Sequence, residues 1–214
     1  MDLAIIQARY QATRLPGKVM LPLAGTPLLE HVWRRTVRAF GPERVLIATT
    51  GLFANAPLLE WGDRLGARVF AWDGHEDDVL GRLVAAADDV RAPEHTVIVR
   101  VTADDPFKDW RLMRAGTWPV EVGCERFYLR FLREAQSWAS ALQHEHLTYL
   151  HQQPPPVLPN GWRWTMDTPQ DYAFAQAVYD RLYPTDPLFG YDAMCELMTD
   201  PAILALHDAA KAAV

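Results

Sequence analysis

Three cations, Arg9, Arg14 and Lys18, crowd one short segment of the chain, Leu3-Ala-Ile-Ile-Gln-Ala-Arg-Tyr-Gln-Ala-Thr-Arg-Leu-Pro-Gly-Lys18. Like charges this close repel one another unless an anion sits among them, so the segment reads as a phosphate site. The apolar run before Arg9 has the character of a buried strand, and ligands of open α/β sheets bind at the carboxyl ends of strands. Lys18 stands out further. Of 21 lysines and arginines only Lys18, Lys108 and Lys211 are lysines, and a compact ammonium meets a polyphosphate as a point charge. The segment is not a P-loop, because Ala12 stands where that motif has its first glycine and Val19 follows the lysine. No dinucleotide glycine fingerprint follows the strand either. Side chains as well as backbone amides must hold the phosphates.

Carboxylates recur at equivalent places. Thr102-Ala-Asp-Asp-Pro106 ends a β-branched run, and Asp167 lies between an apolar segment and a helix start. Mg2+ takes one or two carboxylates and completes its octahedron with water and substrate phosphates, which makes Asp104 and Asp167 candidate metal ligands. Asp-Asp-Pro is equally good turn chemistry, so Asp104 or Asp105 as a turn cap is the competing reading. Thr168, Pro169 and Asp171 are explained by helix capping; Asp167 is not. Asp77-Asp78-Val-Leu-Gly-Arg82 opens another helix. Acids suit its first turn, and Arg82 either reaches a nucleotide or pairs with Asp78 one turn back. His144 and His146 are two apart, which on a helix points them in different directions and argues against a metal pair.

The elements that must position these groups alternate. Strands are expected at Leu3–Gln7, Arg44–Thr49, Arg68–Trp72 and Thr96–Val101. Helices are expected at Leu28–Phe40 (with Arg34, Arg35 and Arg38 outside), Ala56–Leu65 and Asp77–Val90. This is the pattern of βαβ units with a mainly parallel sheet, and right-handed crossovers bring all four strand-end loops to one edge. The second half is less regular. It reads as a short strand at Trp118–Gly123, helices at Glu125–Gln136 and Trp138–Gln152, a proline-rich loop at Gln153–Pro159 and a strand at Trp162–Met166. A helix follows from Thr168, and the tail from Tyr191 is helical in two pieces divided near Asp200-Pro201.

The net charge of −6 over 214 residues argues against general nucleic-acid binding, so the basic segment is local. Cys124 and Cys195 are too few for a disulfide framework and lack metal spacing. Neither a signal peptide nor an apolar run of bilayer length is evident, and a cytoplasmic protein of one domain, 1–214, is expected.

In order along the chain, Ile5-Ile-Gln-Ala-Arg9, Thr13-Arg-Leu-Pro-Gly-Lys-Val19, Gly25-Thr-Pro-Leu-Leu-Glu-His31, Ile47-Ala-Thr49, Asp78-Val-Leu-Gly-Arg82, Val99-Arg-Val-Thr-Ala-Asp104, Glu145-His-Leu-Thr148 and Asp167-Thr-Pro-Gln-Asp171 resemble the cytidylyltransferases that activate acidic sugars. These include the CMP-ketodeoxyoctonate and CMP-acylneuraminate synthetases, and the likeness is greatest to the spore-coat polysaccharide biosynthesis protein F-like group. The resemblance implies an α/β nucleotide-diphospho-sugar transferase (Rossmann-like) fold. It also implies a reaction in which a sugar-acid hydroxyl attacks the α-phosphorus of CTP and pyrophosphate leaves, for polysaccharide biosynthesis. It assigns Arg9, Arg14 and Lys18 to the triphosphate, Asp104 and Asp167 to Mg2+, and Ala8, Asp78 and Arg82 to the border of the nucleotide. Arg14, Lys18 and Asp104 are then the catalytic set, and a homodimer is a further expectation.

The chain departs from the family pattern at Ala12, where serine is usual, and in a shortened stretch between Pro106 and Glu121. The cations expected to grip a sugar carboxylate are not identifiable. A glycosyltransferase on a similar fold and a nucleotide-binding module without turnover are the alternatives; the first usually carries Asp-x-Asp, a spacing that Asp104-Asp105 lacks.

Overall fold

The computed structural model describes residues 2–116, 119–139, 147 and 157–213. Its centre is a sheet of β1 (Asp2–Gln7), β4 (Val45–Thr50), β5 (Val69–Trp72), β6 (Val97–Thr102) and β7 (Glu125–Tyr128), in the spatial order β5-β4-β1-β6-β7. The first four strands are parallel; β7 runs antiparallel to β6. Two-residue strands β2 (Pro22–Leu23) and β3 (Thr26–Pro27) form a separate hairpin.

Both faces of the sheet are buried, and side-chain alternation divides the core in two. Ala4 and Ile6 of β1, Val45 and Ile47 of β4, and Val99 and Val101 of β6 face one layer. That layer holds α1 (Leu28–Phe40), α2 (Ala56–Leu65), α4 (Trp110–Ala115), α6 (Pro169–Leu182), α7 (Tyr191–Leu197) and α8 (Pro201–Ala212). Leu3, Ile5, Leu46, Ala48 and Ile98 face the other layer, made by α3 (Val79–Asp89) and α5 (Leu129–Gln136).

The expected α1 and α2 have the observed bounds, and the four parallel strands agree to within a residue at each end. The tail is helical in two pieces, with Asp200 capping α8. Both cysteines are free.

Several expectations fail. Residues 125–128 are strand, not the start of a helix; only α5 is helical. Residues 119–123 form turns rather than a strand, anchored by Val122 N and Gly123 N donating to Pro119 O. Residues 162–166 enter no sheet; they are tied to the end of β6 by Met166 N donating to Asp104 O over 2.8 Å and by Thr165 Oγ1 donating to Asp105 Oδ1 over 2.8 Å. α3 begins at Val79, so Asp77 lies outside its first turn. Arg35, expected outside, is fully buried in α1 and donates to Lys108 O at 2.8 Å and Phe189 O at 2.6 Å. Those two carbonyls would otherwise be buried without donors, and a guanidinium is long enough to serve both. Most of the expected helix Trp138–Gln152, the His144–His146 pair and most of the proline-rich loop lie outside the described residues.

Candidate active site

The cationic loop is held in shape by its backbone. Gly17, at φ +69°, turns the chain so that its N–H donates to Tyr10 O at 3.0 Å. A Cβ there would approach the Tyr10 ring to 3.1 Å in a backbone conformation that suits glycine. Tyr10 N donates to Asn55 Oδ1 at 2.8 Å, and Asn55 Nδ2 donates to Thr50 Oγ1 at 2.7 Å. The loop is thereby hooked onto the carboxyl end of β4.

Each of its three cations faces a carboxylate of the protein. Arg9 pairs with Asp77 at 2.9 Å and Arg14 with Asp167 at 3.2 Å. Lys18, buried at the loop's end, places Nζ 2.7 Å from Asp104 Oδ2 and 2.7 Å from Asp167 Oδ1. The mutual repulsion expected of the three cations is relieved in this way. Burial pulls the Lys18 pKa down, but the two carboxylates outweigh it and leave the ammonium above its ordinary value.

The two carboxylates diverge. Burial, with Asp105 and Asp167 nearby, pushes Asp104 up despite Lys18. Asp167 is also penalised by burial, yet hydrogen bonding and attraction from Lys18, with Arg14 and Arg163, hold it below the usual carboxylate range.

Asp167 is fixed by the helix cap that the sequence marked at Thr168 and Asp171, and by Arg163, which sequence reasoning did not pick out. Thr168 and Asp171 form a reciprocal capping box at the start of α6, and Asp167 N donates to Asp171 Oδ2 at 2.9 Å. Arg163 bridges both acids, donating to Asp171 Oδ1 at 2.7 Å and to Asp167 Oδ2 at 3.1 Å. The i, i+4 spacing of Arg163 and Asp167 was visible in the sequence, but outside a helix that spacing promises no contact.

Asp105 is structural, but it is held by side chains rather than as the turn cap considered for it. Its Oδ2 accepts from Lys108 Nζ at 2.8 Å and from Thr102, and its Oδ1 accepts from Thr165 at 2.8 Å. Lys108, fully buried, also donates to Val120 O. This cluster joins the end of β6 to the segment leading into Asp167.

A cavity of about 290 Å³ opens at the carboxyl edge of the sheet. It gathers Ala8, Arg9, Arg14, Lys18, Arg82, Asp104 and Asp167. Asp78 does not line it. Asp78 caps α3, accepting from Gly81 N at 2.7 Å. Arg82 is buried and donates to Glu76 O at 3.1 Å rather than to the Asp78 side chain. Burial lowers its pKa to about 10, against the attraction of Glu76. Gln7, Glu76 and Arg100 also line the cavity, and sequence reasoning singled out none of them.

Among the described residues no group of three or more His, Cys, Asp or Glu is arranged to hold a metal ion. The pair Asp104–Asp167 nevertheless suits a hard cation. Both reach one cationic atom within 2.7 Å, and Mg2+ needs only one or two carboxylates when phosphates and water supply the rest. No helix among the described residues is long and apolar enough to cross a membrane.

Comparison with known proteins bears on the fold and on the family. A cytidylyltransferase from Leptospira borgpetersenii superposes with a TM-score of 0.81 over 94% of this chain and 95% of its own, at 24% identity. A nucleotidyl transferase from Methanothermobacter gives 0.62 over 85% and 98%, at 15% identity. Both show the fold. Among curated proteins, the 3-deoxy-manno-octulosonate cytidylyltransferase of Thioalkalivibrio sulfidiphilus is 35% identical over 101 residues, 47% of this chain and 38% of its own length. That of Synechococcus elongatus is 33% identical over 121 residues, 56% and 47%. The chain thus spans less than half the length of these two relatives. The cytidylyltransferase family pattern matches residues 3–153, through both Lys18 and Asp104, and the chain belongs to that family.

Proposed function

We propose that this protein transfers CMP from CTP to a hydroxyl of an acidic sugar, releasing pyrophosphate, with Mg2+ as cofactor. The observation that carries this reading is Lys18 held between Asp104 and Asp167, on a loop that also presents Arg9 and Arg14 to the same cavity. The acidic acceptor is supported by the named substrate of the relatives. A cytoplasmic setting, where CTP is at hand, is part of the same proposal.

The chemistry needs little beyond positioning and charge neutralisation. The acceptor hydroxyl gives up its proton to solvent as its oxygen forms a bond to the α-phosphorus, while the bond from the α-phosphorus to the oxygen bridging to the β-phosphate breaks and pyrophosphate departs with the negative charge. Arg14 and Lys18 face that charge as it develops. Asp104 and Asp167 would hold Mg2+, which when bound neutralises phosphate oxygens and lowers the pKa of a coordinated hydroxyl. Arg163 keeps Asp167 oriented, and the Asp105–Lys108 pair keeps the Asp104 turn in place.

The test is calorimetric titration of the four nucleoside triphosphates with and without Mg2+, followed by assay of pyrophosphate release with sugar acids. Selective, Mg2+-dependent CTP binding and CMP-sugar formation are the expected results. Binding of another triphosphate in place of CTP would keep the fold and overturn the substrate. Absence of any triphosphate binding would overturn the enzymatic reading.

A further inference from the structure

Most cations lining the cavity are committed to protein partners. Arg9 is paired with Asp77, and Lys18 with Asp104 and Asp167. Arg100 donates to Gln7 Oε1 at 2.9 Å and to Glu125. Arg82 differs. Its Nη1 donates to Glu76 O at 3.1 Å, but its buried Nε has no hydrogen-bond partner among the described residues. Glu76 differs in the complementary sense, because its buried Oε1 has no donor among the described residues. A buried donor and a buried acceptor left unpaired are each destabilising until a partner arrives, and both residues line the same cavity.

Glu76 and Arg82 sit at the Arg9 side of the cavity, where the Arg9 charge acts on Arg82. Lys18 ties one end of the cationic loop to Asp104 and Asp167, and Arg9 ties the other end to Asp77, next to Glu76. Glu76 and Arg82 line the same cavity as Arg14 and Lys18, so a nucleotide with its phosphates on those two cations has Glu76 and Arg82 available to its base.

We infer that Glu76 selects the base by accepting a hydrogen bond from the exocyclic amino group of cytosine, while Arg82 donates to the O2 carbonyl. This rests on the CTP reading above. Cytosine presents an amino donor where uracil presents a carbonyl acceptor, and a carboxylate accepts well from that amino group. Against uracil the Glu76 carboxylate faces a second acceptor in a desolvated place, which is a repulsive element as well as a lost bond. The O2 carbonyl is common to both pyrimidines, so a guanidinium there binds both alike. Discrimination therefore resides in Glu76.

The experiment is calorimetric titration of CTP, UTP and inorganic pyrophosphate into the wild-type protein and Glu76→Gln. A carboxamide can donate to uracil or accept from cytosine. The wild type is expected to favour CTP over UTP by about 100-fold or more, as sites built around a hydrogen bond do. In Glu76→Gln that ratio is expected to fall at least about tenfold, mainly through gained UTP affinity, with pyrophosphate affinity unchanged. A wild-type preference for CTP that survives in Glu76→Gln overturns the role of Glu76 and leaves the CTP reading intact. Parallel loss of pyrophosphate affinity also overturns it, because the substitution then acts through the loop. A wild-type protein that binds pyrophosphate but does not prefer CTP overturns the CTP reading itself, and this inference with it.

Discussion

The ammonium of Lys18 lies 2.7 Å from Asp104 Oδ2, and the same nitrogen lies 2.7 Å from Asp167. Lys18 has three N–H donors and two already go to the carboxylates that would take Mg2+, so full engagement of the outer phosphates of CTP draws it away from them. Nucleotide and metal are therefore expected to assist each other, since phosphates that draw Lys18 away release the carboxylates for the cation. Mg2+ affinity measured by calorimetry should rise in the presence of a triphosphate, and by thermodynamic reciprocity the triphosphate should bind more tightly with Mg2+. Independent binding of the two would contradict this exchange.

Lys18→Ala should weaken triphosphate binding by about 2 kcal/mol, the scale of a charged hydrogen bond, and monophosphate binding far less. Titrations with CTP and CMP measure the difference. Equal weakening of both would remove Lys18 from the outer phosphates.

Asp167→Asn should raise the Mg2+ concentration for half-maximal activity at least about tenfold, equivalent to about 1.4 kcal/mol. An unchanged metal dependence would return Asp167 to a purely structural position beneath Arg14 and Arg163.

The same residue sets a pH dependence. Because Lys18, Arg14 and Arg163 hold the folded-state pKa of Asp167 below its unfolded value, the unfolded chain binds more protons in that range. The stability it contributes is present above about pH 4, the unfolded carboxylate value, and is lost as pH falls through the lower folded value. Lys18 acts at the other end, where its raised pKa gives stability that is present below about pH 10.5 and lost as pH rises through the folded value. Melting temperatures from pH 2 to 7 should fall less steeply in Asp167→Asn than in the wild type.

Lys108→Met should destabilise the fold by about 3–5 kcal/mol, because it leaves Asp105 charged and buried without its ammonium. Lys108→Met combined with Asp105→Asn should recover much of that loss. Chemical denaturation of both variants decides this, and a single-variant loss below about 1 kcal/mol would show that Thr102 and Thr165 alone satisfy Asp105.

The first half of the chain was legible because each element carried one clear period. The helix Leu28–Phe40 repeats apolar positions at helical spacing, and the parallel strands are short apolar runs between turn signals. Glu125–Tyr128 was misread because four residues leading straight into a helix give too few positions to separate alternation from helical spacing. Its burial does alternate once β6 is beside it. Trp162–Met166 looks like a strand because its side chains are strand formers, yet its ties are to Asp104, Asp105 and His207 rather than to a ladder. Residue types and order marked out Lys18, Asp104 and Asp167, but their common meeting point depends on contacts 86 and 149 residues apart in the chain. Arg163, Glu76 and Arg100 carried no local signal because their significance is wholly in whom they face.

The two strands that bound the described sheet, β5 and β7, are only four residues long, and β7 opens on the charged pair Glu125 and Arg126 before Phe127 and Tyr128. Short margins, charged on the β7 side, make poor templates for a strand from another molecule. The sheet therefore offers little edge for stacking into fibres, while the loop-bearing ends of its strands stay free for chemistry.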